Sequence, residues 1–373
     1  MKYKTVLFFL FGLLIFGIMI YFEGIDNLIY QLKTSDVKFI VLASLVQVGS
    51  FILLTLRWQV INKMTDINIS FFKILPITFI GLAITNLTPS SGGGGEPVRA
   101  YILSSKTKKP FESIFASVVA DRTLDTIPFL ILAIITIVYV VFYFPISNQY
   151  TIAIVSAIIL ITALFLAIIF MSINKKFAEK VIIFILRFSK IIKHFYKKDP
   201  EALEEKIREG VFGFQDTMKI MLHNKNVLYK ALPLSFLIWF FEILRVYLIF
   251  IAFGGNANII VIPIIFIVST LIGMIPLLPG GLGATEVTMV GLFNLVGVNF
   301  GIATSVTMIE RIISFWVPIC IGLTLLPYYS YPTDEDKDYK NVESQIIDEF
   351  ENTEKIEEIF NENSDEDDKK EKK

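Results

Sequence analysis

The chain has 373 residues, 54% hydrophobic and 18% charged, with a formal net charge of −1 and a mean hydropathy of +0.65. Soluble domains carry about 25% charge, so this composition excludes a water-soluble globule. The lone Cys320 and the isolated His194 and His223 exclude a disulfide scaffold and a zinc site. The near-zero net charge hides an asymmetry, because residues 333–373 hold 17 acidic and 7 basic side chains, which leaves +9 on the body and −10 on the tail. A positive body on an apolar chain points to membrane orientation and anionic lipid, and no groove-reading motif for nucleic acid is present.

In chain order, nearly uncharged runs occupy 5–22, 37–56, 74–95, 126–173, 231–241, 246–285, 287–309 and 312–333, several reaching the ~20 residues that span ~30 Å of hydrocarbon. The first follows Lys2 and Lys4 but lacks a small-residue cleavage site, so it reads as a retained anchor. The run 126–173 is long enough for two crossings. Segment 172–226 carries twelve Lys/Arg against seven acids and is expected in the cytoplasm. Within it, Val181, Ile182, Ile185, Leu186 and Ile192 alternate with cations, as on a surface-lying amphipathic helix or on a solvated linker. From about residue 331 the tail is too polar to bury a core and reads as disordered.

Two stretches repeat. Asn86-Leu-Thr-Pro89-Ser-Ser-Gly-Gly93-Gly-Gly-Glu96-Pro-Val-Arg99 corresponds to Ile275-Pro-Leu-Leu-Pro279-Gly-Gly-Leu-Gly283-Ala-Thr-Glu286, with Pro89 and Pro279, Gly93 and Gly283, and Glu96 and Glu286 each 190 residues apart. Asp121-Arg122 and Glu310-Arg311 follow at an offset of 189, and Arg57 and Arg245 precede at 188. The first copy has a polar break at 104–110, and Gly297-Val-Asn-Phe-Gly301 predicts a break in the run 287–309.

Charge sets the orientation. A full crossing at 74–103 from a cytoplasmic N-terminus would place the basic loop outside. A re-entrant pair there returns Arg57, Lys63, Lys106, Lys108, Lys109 and the loop to the cytoplasm. Three crossings, at about 127–146, 151–171 and 229–252, then separate the copies and invert the second relative to the first. The rival, a full crossing with the N-terminus outside, exports Lys2, Lys4, Arg57 and Lys63. The expected fold is an all-α polytopic membrane protein of about 7–8 segments, two of them Pro/Gly-broken re-entrant segments forming an inverted internal repeat. Residues 1–330 make the membrane domain, with repeat motifs 57–125 and 245–314, and 331–373 an acidic cytoplasmic tail. The N-terminus is expected in the cytoplasm and the protein in the cell membrane.

If helices begin near Phe111 and Ile302 at opposite faces, Arg122 and Arg311 lie about 15 Å deep at 1.5 Å per residue. A charge there costs about 2.5–3.5 kcal/mol on insertion scales, so these groups should face an internal cavity. Arg122 and Arg311 are assigned to an anionic headgroup, whose phosphate suits the planar guanidinium fork. Glu96, Asp121, Asp125, Glu286 and Glu310 hold the arginines or carry protons, Arg99 joins the anion site, and Gly93 and Gly283 let backbone N–H groups approach an anion at a helix N-terminus. The competing reading is that acid–arginine neighbours neutralise each other as structural glue, as expected of Glu242 and Arg245 at i,i+3. Trp58, Trp239 and Trp316 read as anchors or core. No nucleotide-binding loop pattern follows the four glycines at 92–95, and no cofactor is expected.

Arg57-Trp58, the segment from Pro89 to Arg99, Asp121-Arg122 with Asp125, the segment from Pro279 to Glu286, and Arg311 resemble the motifs of the lysylphosphatidylglycerol synthase transmembrane-region, or flippase-like, family. The resemblance covers roughly residues 1–330. It implies a multi-pass protein handling membrane lipid, since members include the membrane half of the bacterial multiple peptide resistance factor, which moves aminoacylated phospholipid between leaflets, and the membrane part of some archaeal dolichol-pathway glycosyltransferases. No soluble transferase domain is read on either side, so a transporter rather than an enzyme is expected. Three functions stay open: a flippase for an anionic or polyprenyl-linked lipid, an intramembrane lipid-modifying transferase with Glu96 or Asp121 as base, and a proton-coupled solute carrier. Membrane lipid is the expected partner, nucleic acid is not, and homo-oligomerisation is open.

Overall fold

The computed structural model describes residues 25–64, 67–88, 94–109, 111–143, 225–255, 259–274 and 279–330, with a few isolated positions at 17 and 174–180. The anchor at 5–22, the crossing at 151–171, nearly all of the basic loop with its amphipathic stretch, the tail, and Gly93 with the rest of 89–93 lie outside the described residues. Residues Met1–Leu326 form one compact unit and Pro327–Lys373 a second. The helix packing and the candidate site belong to the first unit.

Every regular element among the described residues is helical. They are α1 (Ile25–Thr34), α2 (Val37–Met64), α3 (Phe71–Leu87), α4 (Glu96–Thr107), α5 (Phe111–Tyr143), α6 (Lys225–Ala252), α7 (Val261–Gly273), α8 (Ala284–Leu295), α9 (Phe300–Arg311) and α10 (Val317–Ser330). A π turn, Ile312–Trp316, joins the last two, and a short 3₁₀ turn, Pro279–Gly281, leads toward α8. Among the described residues three stretches are long and apolar enough to cross a membrane: Val37–Lys63, Tyr229–Ala252 and Phe300–Tyr329.

The long helices are patterned inside out relative to a soluble protein. On α2, Val41, Leu45, Val48 and Ile52 recur at helical spacing and are exposed, while Gln47, Ser50 and Arg57 on the other side are buried. On α6, Phe236, Leu237 and Phe240 are exposed, while Ser235 and Arg245 are buried. An apolar outer face needs no water, and a polar inner face must find its partners within the protein.

Helices α2 and α6 run antiparallel against each other. The Asp36 N–H at the start of α2 donates to the Ala252 carbonyl at the end of α6 (2.8 Å). Further along, Ser50 Oγ donates to Glu242 Oε1 (2.5 Å), and Arg57 near the end of α2 reaches Ser235 near the start of α6 (3.0 Å). Arg57 on α2 and Arg245 on α6, 188 residues apart in the sequence, therefore sit on helices of opposite direction.

Helices α3 and α4 form one hairpin and α7 and α8 another. With 17, 12, 13 and 12 residues, at 1.5 Å each they measure roughly 18–26 Å, short of the ~30 Å hydrocarbon core. Small residues let their arms close. A Cβ on Gly95 would fall 2.1 Å from the Gly81 carbonyl oxygen, and one on Gly281 2.6 Å from the Gly273 Cα. The hairpins touch beside their turns: Leu87 from the first packs with Leu282 of the second, Phe315 and Ile319. The break expected within 287–309 falls between Leu295 and Phe300, where Gly297 takes φ +83° and Asn299 caps α9 by accepting the Gly301 N–H.

Candidate functional site

The first copy builds its charged cluster from three helices. α2 supplies Arg57, α4 supplies Glu96 and Arg99 at i,i+3, and α5 supplies Asp121, Arg122 and Asp125 on successive turns. Arg57 Nε donates to Asp121 Oδ1 (2.7 Å), and its Nη1 to Asp125 Oδ1 (2.5 Å) and Ser235 Oγ (3.0 Å). Arg99 Nη2 donates to the other Asp121 oxygen (3.2 Å), with its guanidinium 4.0 Å above the Trp58 ring. Arg122 Nε donates to Glu96 Oε1 (2.5 Å).

The second copy repeats each of the matched pairs. Arg245 Nη2 donates to Glu310 Oε1 (2.6 Å), as Arg57 does to Asp121, and Arg311 Nε donates to Glu286 Oε1 (2.6 Å), as Arg122 does to Glu96. Arg245 Nη1 also donates to Glu242 and to Gln47 of α2. Gln47 and Ser235 each lie ten residues before the arginine of their own helix, so each long helix holds the other's arginine at corresponding positions. Arg311 is further fixed by the Gly280 carbonyl (3.2 Å) and by Phe315, whose ring lies 4.3 Å below the guanidinium in the π turn after α9.

These clusters meet at a cavity of about 330 Å³, within the range of small-molecule sites. Arg122, Asp125, Glu242, Arg245, Glu310 and Arg311 give its charged wall, with Phe51, Leu54, Trp239 and Phe266 among the apolar groups. Five corresponding pairs line it together: Ser50 and Ile238, Phe51 and Trp239, and Leu54 and Glu242 at 188, and Arg122 and Arg311, and Asp125 and Ser314 at 189. The cavity is therefore lined from both of the stretches that these offsets relate.

Of the residues singled out from sequence, Arg122, Arg311, Asp125 and Glu310 line the cavity. Glu96 and Glu286 hold the two arginines. Asp121 and Arg99 are buried in the first cluster and are not part of the cavity wall. The Gly283 N–H, expected to face an anion, donates instead to Glu286 Oε2 (2.7 Å), and Gly283 takes φ +82° at the start of α8. Glu242 and Arg245 do form the expected i,i+3 pair, yet both also line the cavity. Sequence reasoning leaves Gln47, Ser50 and Ser235 unassigned and gives Trp239 no role beyond anchor or core. Residue matching does not find the first three, since at the 188-residue offset Gln47 meets Ser235 and Ser50 meets Ile238, and only their fixed distance from Arg57 and Arg245 links them. Trp239 fills core against Phe129 (4.8 Å) and lines the cavity, its indole N–H donating to the Asp125 carbonyl (2.9 Å).

Chemically, the carboxylates neutralise the arginines without using every donor. Among the described residues Arg122 makes its one hydrogen bond through Nε, so both Nη atoms are unpartnered, and its side chain is 33% exposed. Arg311 keeps Nη1 unpartnered in the same way. Planar N–H forks of this kind bind anionic oxygens. No group of three or more His, Cys, Asp or Glu suited to a metal occurs among the described residues.

Residues 6–322 match the family model described as the lysylphosphatidylglycerol synthase TM region. A UPF0104 membrane protein of Methanothermobacter thermautotrophicus is 39% identical over 335 residues, covering 90% of this chain and 98% of its own. UPF0104 membrane proteins of Pyrococcus horikoshii (32% identical; 86% and 95% covered) and Methanocaldococcus jannaschii (28%; 90% and 97%) are also similar. The match spans every described helix except the last turns of α10. With its apolar spans, its inward-facing charges and this match, the chain is a multi-pass membrane protein belonging to the lysylphosphatidylglycerol synthase transmembrane-region family.

Proposed function

We propose that this protein moves a lipid with an anionic or polyprenyl-linked headgroup between the leaflets of the cell membrane, and that it does so as a transporter rather than an enzyme. The observation that carries this reading is the pair Arg122 and Arg311, one from each copy, lining a single cavity with unpartnered guanidinium nitrogens. The headgroup phosphate docks between the two forks while its tails stay in hydrocarbon. The half-length hairpins act as re-entrant elements entering from opposite leaflets. The antiparallel α2 and α6, the short hairpin arms and the contact between the hairpins support that inverted arrangement, which is how transporters of this type build midplane sites. The N-terminus, the basic loop and the acidic tail then lie in the cytoplasm, in accord with the positive-inside rule.

Vesicles containing the purified protein and fluorescent analogues of phosphatidylglycerol and of a polyprenyl phosphate test this. Transbilayer movement of at least one probe should exceed that in protein-free vesicles. Arg122→Ala together with Arg311→Ala should slow it by about tenfold or more, the equivalent of losing ~1.4 kcal/mol of charge-assisted binding. Equal movement with the double variant overturns the assignment. Mass spectrometry of the same lipids separates the rivals: a new headgroup species points to a transferase, and uptake of water-soluble cargo with stationary lipid points to a solute carrier.

A further inference from the structure

We propose that Phe315 is a positioning residue of the anion site: its ring holds Arg311 as the fixed member of the pair, while Arg122 is the adjustable member that closes on the bound phosphate. The proposal rests on the reading of Arg122 and Arg311 as the two anion ligands and assigns them unequal parts. Phe315 is 3% exposed and does not line the cavity, so it acts on cargo only through what it touches. It touches Arg311, whose guanidinium carbon lies 4.3 Å from the centre of its ring.

Three sides of the Arg311 guanidinium are taken. Nε donates to Glu286, Nη2 donates to the Gly280 carbonyl (3.2 Å), and one face rests on Phe315, which leaves Nη1 for an anion. The support is itself braced. A Cβ on Gly280, at φ +53°, would fall 2.2 Å from the Phe315 ring and 2.8 Å from the Asn86 carbonyl oxygen. The residue that accepts from Arg311 is therefore clasped between that ring and the first hairpin. Phe315 also packs with Leu87, Leu282 and Ile319. It lies in the π turn Ile312–Trp316, which begins directly after Arg311, and such turns are rare within helices and frequent at functional sites.

Arg122 has none of this support. Its one hydrogen bond among the described residues runs from Nε to Glu96, and its side chain is 33% exposed against 10% for Arg311. At the 189-residue offset that relates the two arginines, Phe315 meets Thr126, whose hydroxyl donates to the Arg122 carbonyl (2.8 Å) and which offers no ring. A cation shielded from water over an aromatic face is held more firmly than one that water reaches. A group already fixed in its binding geometry also loses less freedom when the ligand arrives. Arg311 thus presents a preset N–H, and Arg122, with both Nη atoms unpartnered, turns to complete the clamp.

Calorimetric titration of the detergent-purified full chain with inorganic pyrophosphate tests this apart from any lipid movement. Phe315→Leu keeps an apolar side chain against Leu87, Leu282 and Ile319 but loses the ring face, and should weaken binding by about fivefold. Phe315→Tyr restores the ring and should recover the affinity, which a packing role alone does not require. Lysine is a point charge without a fork, so Arg311→Lys should weaken binding by about tenfold or more and Arg122→Lys by only about threefold. Equal affinity of Phe315→Leu and the wild type overturns the proposal and leaves the anion pair standing, as does an equal loss in the two lysine variants. Should Phe315→Leu not fold, the lysine pair decides alone. A wild-type protein that binds no pyrophosphate overturns the anion pair itself, and this proposal with it.

Discussion

The two arginine clusters are built on one plan and end in different states. Around Arg57 the charges balance: Asp121 is shared with Arg99, Arg99 lies over Trp58, and neither Arg57 nor Asp121 is part of the cavity wall. Around Arg245 the corresponding contacts are made, but Arg245, Glu310 and the additional Glu242 all line the cavity, and Met289 occupies the position of Arg99. The common plan lies in the spacing: arginines 188 residues apart on antiparallel helices meet acids 189 residues apart. The divergence lies in what reaches the cavity: the first cluster reaches it through Asp125 and Arg122 while Arg57, Arg99 and Asp121 stay buried behind them, whereas Arg245 and Glu310 line it themselves.

The contrast between the clusters is tested most severely at Arg245. Arg245→Ala leaves Glu242 and Glu310 together without a cation, and breaking a buried pair from one side costs about 3–5 kcal/mol. Arg57→Ala should cost less, because Asp121 keeps Arg99. The midpoint of thermal unfolding in detergent, measured for both variants, should rank Arg245→Ala as the more damaging, and the reverse order would contradict this difference in partners. Arg99→Met makes the first cluster resemble the second. It removes one charged hydrogen bond and a stacked cation, worth about 1.5–3 kcal/mol, and should lower the thermal midpoint in detergent by less than Arg57→Ala does. A midpoint unchanged by Arg99→Met would mean that Arg99 contributes nothing to holding the first cluster together.

Much of this is legible in the sequence because the constraint is written twice. The hydropathy runs mark the long helices, and the matched Pro, Gly, acid and arginine positions mark the hairpins and the pairs Arg122–Glu96 and Arg311–Glu286, although which acid meets which arginine is a three-dimensional fact. Contacts between the copies are harder to see. Gln47 and Ser235 differ in chemistry, so identity comparison does not pair them, and only their common position ten residues before an arginine links them. Glu242 reads as local glue in the sequence because an i,i+3 partner already accounts for it. Its second role needs the cavity, which exists only once α2, α5, α6 and α9 are packed. The Gly283 N–H is placed by sequence reasoning before an anion, but Glu286, three residues on, lies within reach of it as the helix starts.

The proposed transport requires that two oppositely oriented halves share one cavity. Single cysteines placed at Ser105 and Asn299, in a Cys320→Ser background that removes the chain's only native thiol, address this directly. Ser105 lies near the end of the first hairpin and Asn299 at the start of α9 beyond the second, at the matching break. With a membrane-impermeant thiol reagent applied to oriented cells or vesicles, Asn299→Cys should be modified from outside and Ser105→Cys only from the cytoplasmic side. Modification of both from the same side would contradict the inverted arrangement.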